Sequence, residues 1–355
     1  MRIVLTFSAA LSILTSAKYN CIIYRKDQRG GCKLNILRYG CGSDANKLRA
    51  EFASFGNKTV VALGFFDGMH KAHRELFRIA RAEADRIGCP LAVFTFSGKS
   101  ASLKPGVLRL FTDAEKLELL SECGADIVLS CDFDALSDMP PDGFVRDFLC
   151  GTMRAGVAVC GYNFRFGRGA AGTVRELSAL MKSCGGDTVV VDKLYVGDVS
   201  PSSTLIRELL SERQLRRAWE MLGIPYFITG EVRHGKGIGT GMGIPTVNTE
   251  LSDERFALPC GVYSTAVPIG GKVFRALTNI GSCPTFGERH VHAETYILDF
   301  DGDLYTKQLR IYFIDYLREE KSFADKDELI KQINDDKIRA FELSREIKWQ
   351  EIGLN

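Results

Sequence analysis

The sequence predicts two unlike domains in series: an α/β domain built on a parallel sheet, then a β-rich domain, an antiparallel barrel or sandwich, ending in a helix. Three observations predict this. The chain has 355 residues, more than one hydrophobic core usually serves. From residue 59 to about 222, short apolar runs alternate with helical patterns. After Gly223 that alternation stops, and six β-rich segments follow, separated by glycine-containing turns.

In the first half the strand candidates are residues 60–63, 91–96, 127–129, 157–160 and 188–191. The helical patterns that follow them cover 73–87, 115–122, 143–149, 174–181 and 204–210. Such βαβα order predicts a parallel sheet with helices on both faces. Thr112 and Glu115 stand as T-x-x-E, a capping box at the start of the second helix. In the second half the strand candidates are 226–232, 246–251, 262–267, 273–279, 294–300 and 309–313, and a polar helix runs from 326 to about 347. The expected division is a leader of uncertain status over residues 1–47, a first domain over 48–212 and a second over 213–355. In the leader, Arg2 precedes an apolar stretch at 3–17, which reads either as a secretory signal or as a segment lying loosely on the surface. It is too short to span a membrane. Residues 18–47, with Cys21, Cys32 and Cys41, show no clear period.

Composition narrows the function. Lys and Arg total 46 against 44 Asp and Glu, a net charge of +2, with no long basic run to track a phosphate backbone, so nucleic acid is not an expected partner. Eleven Cys, an odd number without any C-x-x-C pair, indicate neither a disulfide framework nor a thiolate zinc site. Reduced thiols in a cytoplasm fit best. Self-association is left open.

Two constellations carry chemistry. Gly64-Phe65-Phe66-Asp67-Gly68-Met69-His70-Lys71-Ala72-His73 joins the first strand to the first helix, where ligands sit in an open parallel sheet. Gly64 and Gly68 permit a sharp turn, and His70 and His73, three apart, can aim both imidazoles the same way beside helix-N-terminal amides. That suits a polyphosphate better than zinc, which lacks a third ligand here; two histidines capping a helix is the plain structural alternative. The second runs from His234 to Asn248, with five glycines between Gly235 and Gly243 and then Ile244-Pro245-Thr246-Val247-Asn248. Glycine amides can fold over phosphates, and Thr246 with Asn248, two apart on an extended strand, put two oxygens on one face for Mg²⁺. A mobile hairpin before an edge strand is the structural alternative.

The first run resembles the signature of the flavin-adenylylating nucleotidyltransferases. The resemblance continues through Cys160-Gly161-Tyr162-Asn163-Phe164-Arg165-Phe166-Gly167 and Ser202-Ser203-Thr204-Leu205-Ile206-Arg207. The second run resembles the riboflavin kinase signature, followed in order by Gly261-Val262-Tyr263, by Asn279-Ile280-Gly281-Ser282-Cys283-Pro284-Thr285-Phe286, by Glu294-Thr295-Tyr296-Ile297-Leu298-Asp299-Phe300, and by Leu317-Arg318-Glu319-Glu320 with Phe323. Two such signatures in this order resemble the bifunctional riboflavin kinase/FAD synthetases. The sequence departs from the adenylylating pattern at Ala72, where that family usually has glycine, and at Ser97-Gly98-Lys99-Ser100, where it usually has D-P-H-P.

The resemblance implies a Rossmann-like nucleotidyltransferase domain and a six-stranded β-barrel kinase domain. It implies phosphorylation of riboflavin to FMN and adenylylation of FMN to FAD, with ATP as co-substrate and Mg²⁺. It makes Glu294 the base for the ribityl hydroxyl and His70 and His73 the catalytic pair of adenylyl transfer. ATP contacts are implied at Gly64, Phe65, Gly68, Asn163, Ser203, Thr204 and Arg207 for adenylyl transfer. For the kinase they are implied at Gly235, Lys236, Gly237, Gly239, Gly243, Pro245, Thr246 and Asn248, with the metal on Thr246 and Asn248 and flavin contacts at Arg318 and Phe323. The alternatives are a kinase whose first domain is degenerate, and a flavin-binding regulator without turnover.

Overall fold

The computed structural model describes residues 3–5, 21–25, 33–97, 107–233, 246–251, 254–285 and 288–352. The chain divides into two compact units, residues 1–107 with 113–200, and residues 108–112 with 201–355.

The elements of the first unit are β1 (Ile3–Leu5), β2 (Cys21–Arg25), β3 (Lys33–Tyr39), α1 (Ala45–Phe55), β4 (Thr59–Leu63), α2 (Lys71–Ile87), β5 (Leu91–Ser97), α3 (Asp113–Glu122), β6 (Ile127–Asp132), β7 (Ala155–Gly161), α4 (Val174–Ser183) and β8 (Asp187–Val191). Among the described residues they form one sheet in the order β1-β2-β3-β6-β5-β4-β7-β8. From β3 to β8 every neighbouring pair is parallel, as the apolar runs predict. Burial explains the absence of alternation: all five residues of β4 are buried, so both faces are covered. The expected helix at 143–149 begins as Pro141–Gly143 and continues as a π-helical segment, Phe144–Thr152. There the Met153 amide reaches back five residues to the Phe148 carbonyl at 2.9 Å.

The reading of residues 1–47 needs correction at three places. Strand β3 pairs with β6, and β2 pairs antiparallel with β3, while β1 pairs parallel with β2, so the backbone of Ile3–Leu5 is held in the sheet rather than lying loose. The period was invisible in β3 because Leu34, Asn35, Ile36 and Leu37 are all buried, and a polar residue breaks the apolar run. Asn35 is accommodated there because its amide donates to the Asp126 carbonyl at 3.0 Å.

The second unit contains α5 (Ser203–Ser211), α6 (Leu215–Leu222), β9 (Phe227–Glu231), β10 (Thr246–Glu250), β11 (Gly261–Ile269), β12 (Lys272–Thr285), β13 (Glu288–Ile297), β14 (Gln308–Arg318) and α7 (Lys326–Ser344). Its six strands form an antiparallel sheet in the order β10-β13-β12-β11-β14-β9. The sheet curls until its two edges meet at the antiparallel bridge Arg233–Asn248, where the Arg233 amide donates to the Asn248 carbonyl at 3.0 Å. Inside the curl, the hydroxyls of Thr265, Thr278 and Thr295 link three strands at 2.8 and 2.9 Å. On the outside, α7 lays Ala340, Ile333 and Leu343 against Val262, Leu277, Tyr296 and Leu317.

Residues 108–112, which lie in sequence between β5 and α3, belong to this second unit. Leu110 and Phe111 are buried, the Leu110 carbonyl accepts from the Tyr226 hydroxyl at 3.1 Å, and the Phe111 ring lies 4.7 Å from that of Phe227.

Candidate functional site

In the first unit the strand order reverses beside β4. The chain goes from β4 outward through β5 and β6, then returns to place β7 on the other flank of β4 and β8 beyond it. A crevice opens at the carboxyl ends of strands at such a switch point. Leu63 and Cys160 are register partners at the ends of β4 and β7, so the turn starting at Gly64 and the turn containing Asn163 leave the sheet side by side. Asn163 is exposed.

The turn after β4 is strained. Phe66 and Met69 have φ of +55° and +41°, a left-handed region that non-glycine residues seldom adopt, and Gly68 has +84°. At Gly64 the constraint is space: a Cβ there would stand 2.8 Å from the buried Phe66 ring. The turn delivers His70 to the N-cap of α2, where its side chain makes no capping bond. The first-turn amides of a helix have no intrahelical acceptor and attract anions.

His70 and His73 come together as expected. Their rings stack at 3.7 Å with 17° between planes, and the Phe66 ring meets His73 edge-on at 5.4 Å. Both Nδ1 atoms are buried without a hydrogen-bond partner among the described residues. Burial pushes His70 down to about 4, and burial followed by the neighbouring His70 and Lys116 charges holds His73 well below the ordinary histidine range. The pair is therefore neutral at pH 7. Ala72 lies half-buried in the first turn of α2 between them, and Gly98, Lys99 and Ser100 lie outside the described residues.

Ser203, Thr204 and Arg207 are on α5 and so belong to the second unit. Ser202, not Ser203, is the N-cap, accepting from the Leu205 amide at 3.2 Å, and Arg207 donates through Nε to the Leu108 carbonyl at 2.7 Å.

In the second unit, β10 and β13 pair with Asn248 opposite Glu294, and β13 and β12 pair with Glu294 opposite Asn279. One row across three strands thus reads Asn248, Glu294, Asn279. Thr246, two residues before Asn248 and on the same face, donates its hydroxyl to Glu294 Oε1 at 2.7 Å. Asn279 donates to Glu320 at 2.9 Å, and its Oδ1 is buried without a partner among the described residues. Gly235, Lys236, Gly237, Gly239, Gly243 and Pro245 lie outside the described residues. Arg318 is committed within the chain: Nε bonds both oxygens of Asp336 at 3.0 Å, Nη2 adds 2.8 Å, and the guanidinium lies 5.8 Å from the Phe323 ring.

A riboflavin kinase family model matches residues 222–343, and an FAD synthetase model matches residues 53–205. Curated relatives named bifunctional riboflavin kinase/FMN adenylyltransferase include that of Escherichia coli strain K12, 33% identical over 80% of this chain and 92% of its own length, and that of Bacillus subtilis strain 168, 31% identical with the same coverage. The chain belongs to the bifunctional riboflavin kinase/FMN adenylyltransferase family. A solved Streptococcus pneumoniae structure titled a macrolide-efflux protein is 29% identical over 82% of this chain and 95% of that one, with a TM-score of 0.71. No helix among the described residues is long and apolar enough to cross a membrane.

Two residues that the structure places beside these turns and strands were not singled out in the sequence. Asn279 was visible only as part of a string, because its position opposite Glu294 depends on strand register. Lys116 was hidden in the helix after Thr112. Its signal was a lysine beside Leu117, Leu119 and Leu120 in the buried part of α3.

Proposed function

We propose that Glu294 is the base of riboflavin phosphorylation and that the His70–His73 turn is where ATP is held for adenylylation of FMN. Riboflavin kinase and FMN adenylyltransferase are the two activities of this family member, and ATP is the co-substrate of both. The observation that carries the kinase assignment is the Asn248–Glu294–Asn279 row with the Thr246 hydroxyl at 2.7 Å from Glu294.

In the kinase step the ribityl hydroxyl oxygen attacks the γ-phosphorus of ATP. A new P–O bond forms, the bond to the departing ADP oxygen breaks, and the hydroxyl proton passes to Glu294. Thr246, by donating to Oε1, fixes the carboxylate and leaves the other oxygen for the substrate proton. The hydroxyl of Thr246 and the amide oxygen of Asn248 are the hard oxygen donors that suit Mg²⁺. When bound, Mg²⁺ supplies charge neutralisation for the phosphates. The glycine-rich sequence from 235 to 243 is assigned to the ATP phosphates. Phe323 is assigned to the flavin, with Arg318 fixing the segment that carries it through its bonds to Asp336.

Adenylyl transfer needs no base. An FMN phosphate oxygen, already anionic, attacks the α-phosphorus, and pyrophosphate leaves with the electron pair of the broken bond. The demand is for orientation and for stabilisation of anionic charge. Gly64, Phe65 and Gly68 bring backbone to the ligand, the first-turn amides of α2 face it, and the His70 and His73 nitrogens find a partner in it. An arriving anion favours protonation of imidazoles that are otherwise neutral, so binding of ATP is accompanied by proton uptake. The cytoplasm, where ATP is plentiful and thiols stay reduced, is the assigned location.

The experiment is to assay both reactions on His70→Ala and His73→Ala. FAD formation from FMN falls by about 10²–10³-fold, the usual effect of removing one stabilising donor, while FMN formation from riboflavin is unchanged. Wild-type FAD synthesis in both variants would remove the pair from the mechanism.

A further inference from the structure

Beneath the strained turn lies a buried cation. Lys116, on the first half of α3, is 7% exposed. Its Nζ donates to the Phe96 carbonyl at 2.8 Å, to Thr95 Oγ1 at 3.2 Å and to the Phe65 carbonyl at 3.4 Å, and it lies 5.2 Å from the Phe65 ring centroid. Thr95 in turn donates its hydroxyl to the same Phe65 carbonyl at 2.9 Å. One ammonium therefore joins three elements: the end of β5, the helix that supplies it, and the residue just before the left-handed Phe66.

A buried charge is costly, and a chain that needed only packing would place leucine here. What lysine adds is a joint between three elements and a positively charged donor at the carboxyl end of the sheet. We propose that Lys116 is a positioning residue for adenylyl transfer, holding the Gly64–Gly68 turn against the end of β5 and adding fixed positive charge under the ATP phosphates. The proposal rests on the assignment of ATP to the His70–His73 turn. Lys116 acts through the Phe65 carbonyl, so its loss shifts the turn rather than removing a contact to the reacting atoms. Misplacement by about 1 Å can cost about 10²-fold in rate.

The test uses the full-length chain, with the kinase reaction as an internal control. In Lys116→Met, kcat/KM for ATP in FAD formation falls by about 10–100-fold, with KM for ATP rising, while FMN formation from riboflavin stays at the wild-type rate. Lys116→Arg, which keeps the charge and the donors, restores a large part of the loss. Thr95→Val, which removes the hydroxyl between Nζ and the Phe65 carbonyl, gives a smaller loss of the same kind and serves if the methionine variant does not fold. Wild-type kinetics for FAD formation in Lys116→Met, or in Thr95→Val where that variant serves, would overturn the proposal. So would a parallel loss of both activities without rescue by arginine, because that is the mark of a merely structural lysine. His73→Ala, run alongside, separates the two claims: normal FAD synthesis there refutes the site itself, whereas a loss there with normal Lys116→Met kinetics refutes only the role of Lys116.

Discussion

The two units meet one cosubstrate with opposite chemistry. The first presents a neutral, stacked imidazole pair at a strained turn with a helix N-terminus behind it. The second presents a carboxylate in a row of amides and a hydroxyl on a sheet surface. Under the assignment proposed above, the nucleophiles account for the difference. A flavin hydroxyl must lose a proton to attack phosphorus, so a carboxylate is needed; a flavin phosphate has none to lose, so donors suffice. The folds follow suit: a parallel sheet offers amides at its carboxyl end, and an antiparallel sheet lines up side chains from three strands in one row.

The largest effect expected is at the carboxylate. Glu294→Gln keeps the size and the hydrogen bond from Thr246 yet cannot take a proton, so FMN formation falls by about 10²–10⁴-fold. Steady-state kinetics with riboflavin and ATP measure it, and a rate near wild type across pH would make Glu294 a structural strand residue.

The contrast between the units is sharpened by a residue whose sequence position misleads. Phe111 falls between β5 and α3 of the first unit but packs in the second, so Phe111→Ala should destabilise the second unit by about 3–5 kcal/mol. Differential scanning calorimetry should show the second unit's transition moving down with the first unit's in place; the reverse would reassign the segment. By the same reasoning, a chain starting at Arg213 lacks part of the core of its own unit.

Gly64→Ala acts on one unit only. The added methyl must displace the Phe66 ring, which packs against His73 and Phe77, an overpacking that typically costs about 1–3 kcal/mol. FAD synthesis should fall and the kinase rate hold, and an unchanged FAD-forming rate would mean that the turn yields at no cost.

The last effect is confined to acid. His70 is held at about 4 in the folded chain against about 6.5 when unfolded. The unfolded chain therefore binds the extra proton between those values, and stability that is complete above pH 6.5 is lost as pH falls toward 4, at about 1.4 kcal/mol per unit. His70→Gln should flatten the decline of Tm between pH 6.5 and 5. An equal slope in the variant would mean that His70 is not the group responsible.

Much of this was legible in the sequence, for identifiable reasons. The strands of the parallel sheet appeared because burial on both faces makes them continuously apolar, and the glycine turn and His70–His73 appeared because they sit in one local string. The polar Asn35 concealed β3, its amide nitrogen held by a carbonyl 91 residues away. Strand β12 extends to Thr285, beyond the expected 279, because Gly281 and Pro284 weaken the strand signal while pairing with β13 sustains it. The row opposite Glu294 and the grip of Lys116 both depend on tertiary register, which no local pattern encodes.

The central claim, one chemistry in each unit, is tested most directly by supplying purified Glu294→Gln and His73→Ala chains with ATP and either riboflavin or FMN, and resolving the flavin products by chromatography. Glu294→Gln should form FAD from FMN but almost nothing from riboflavin, and His73→Ala should convert riboflavin to FMN and stop there. If either variant lost both conversions together, or if His73→Ala carried riboflavin through to FAD at the wild-type rate, the division of chemistry between the two units would be contradicted.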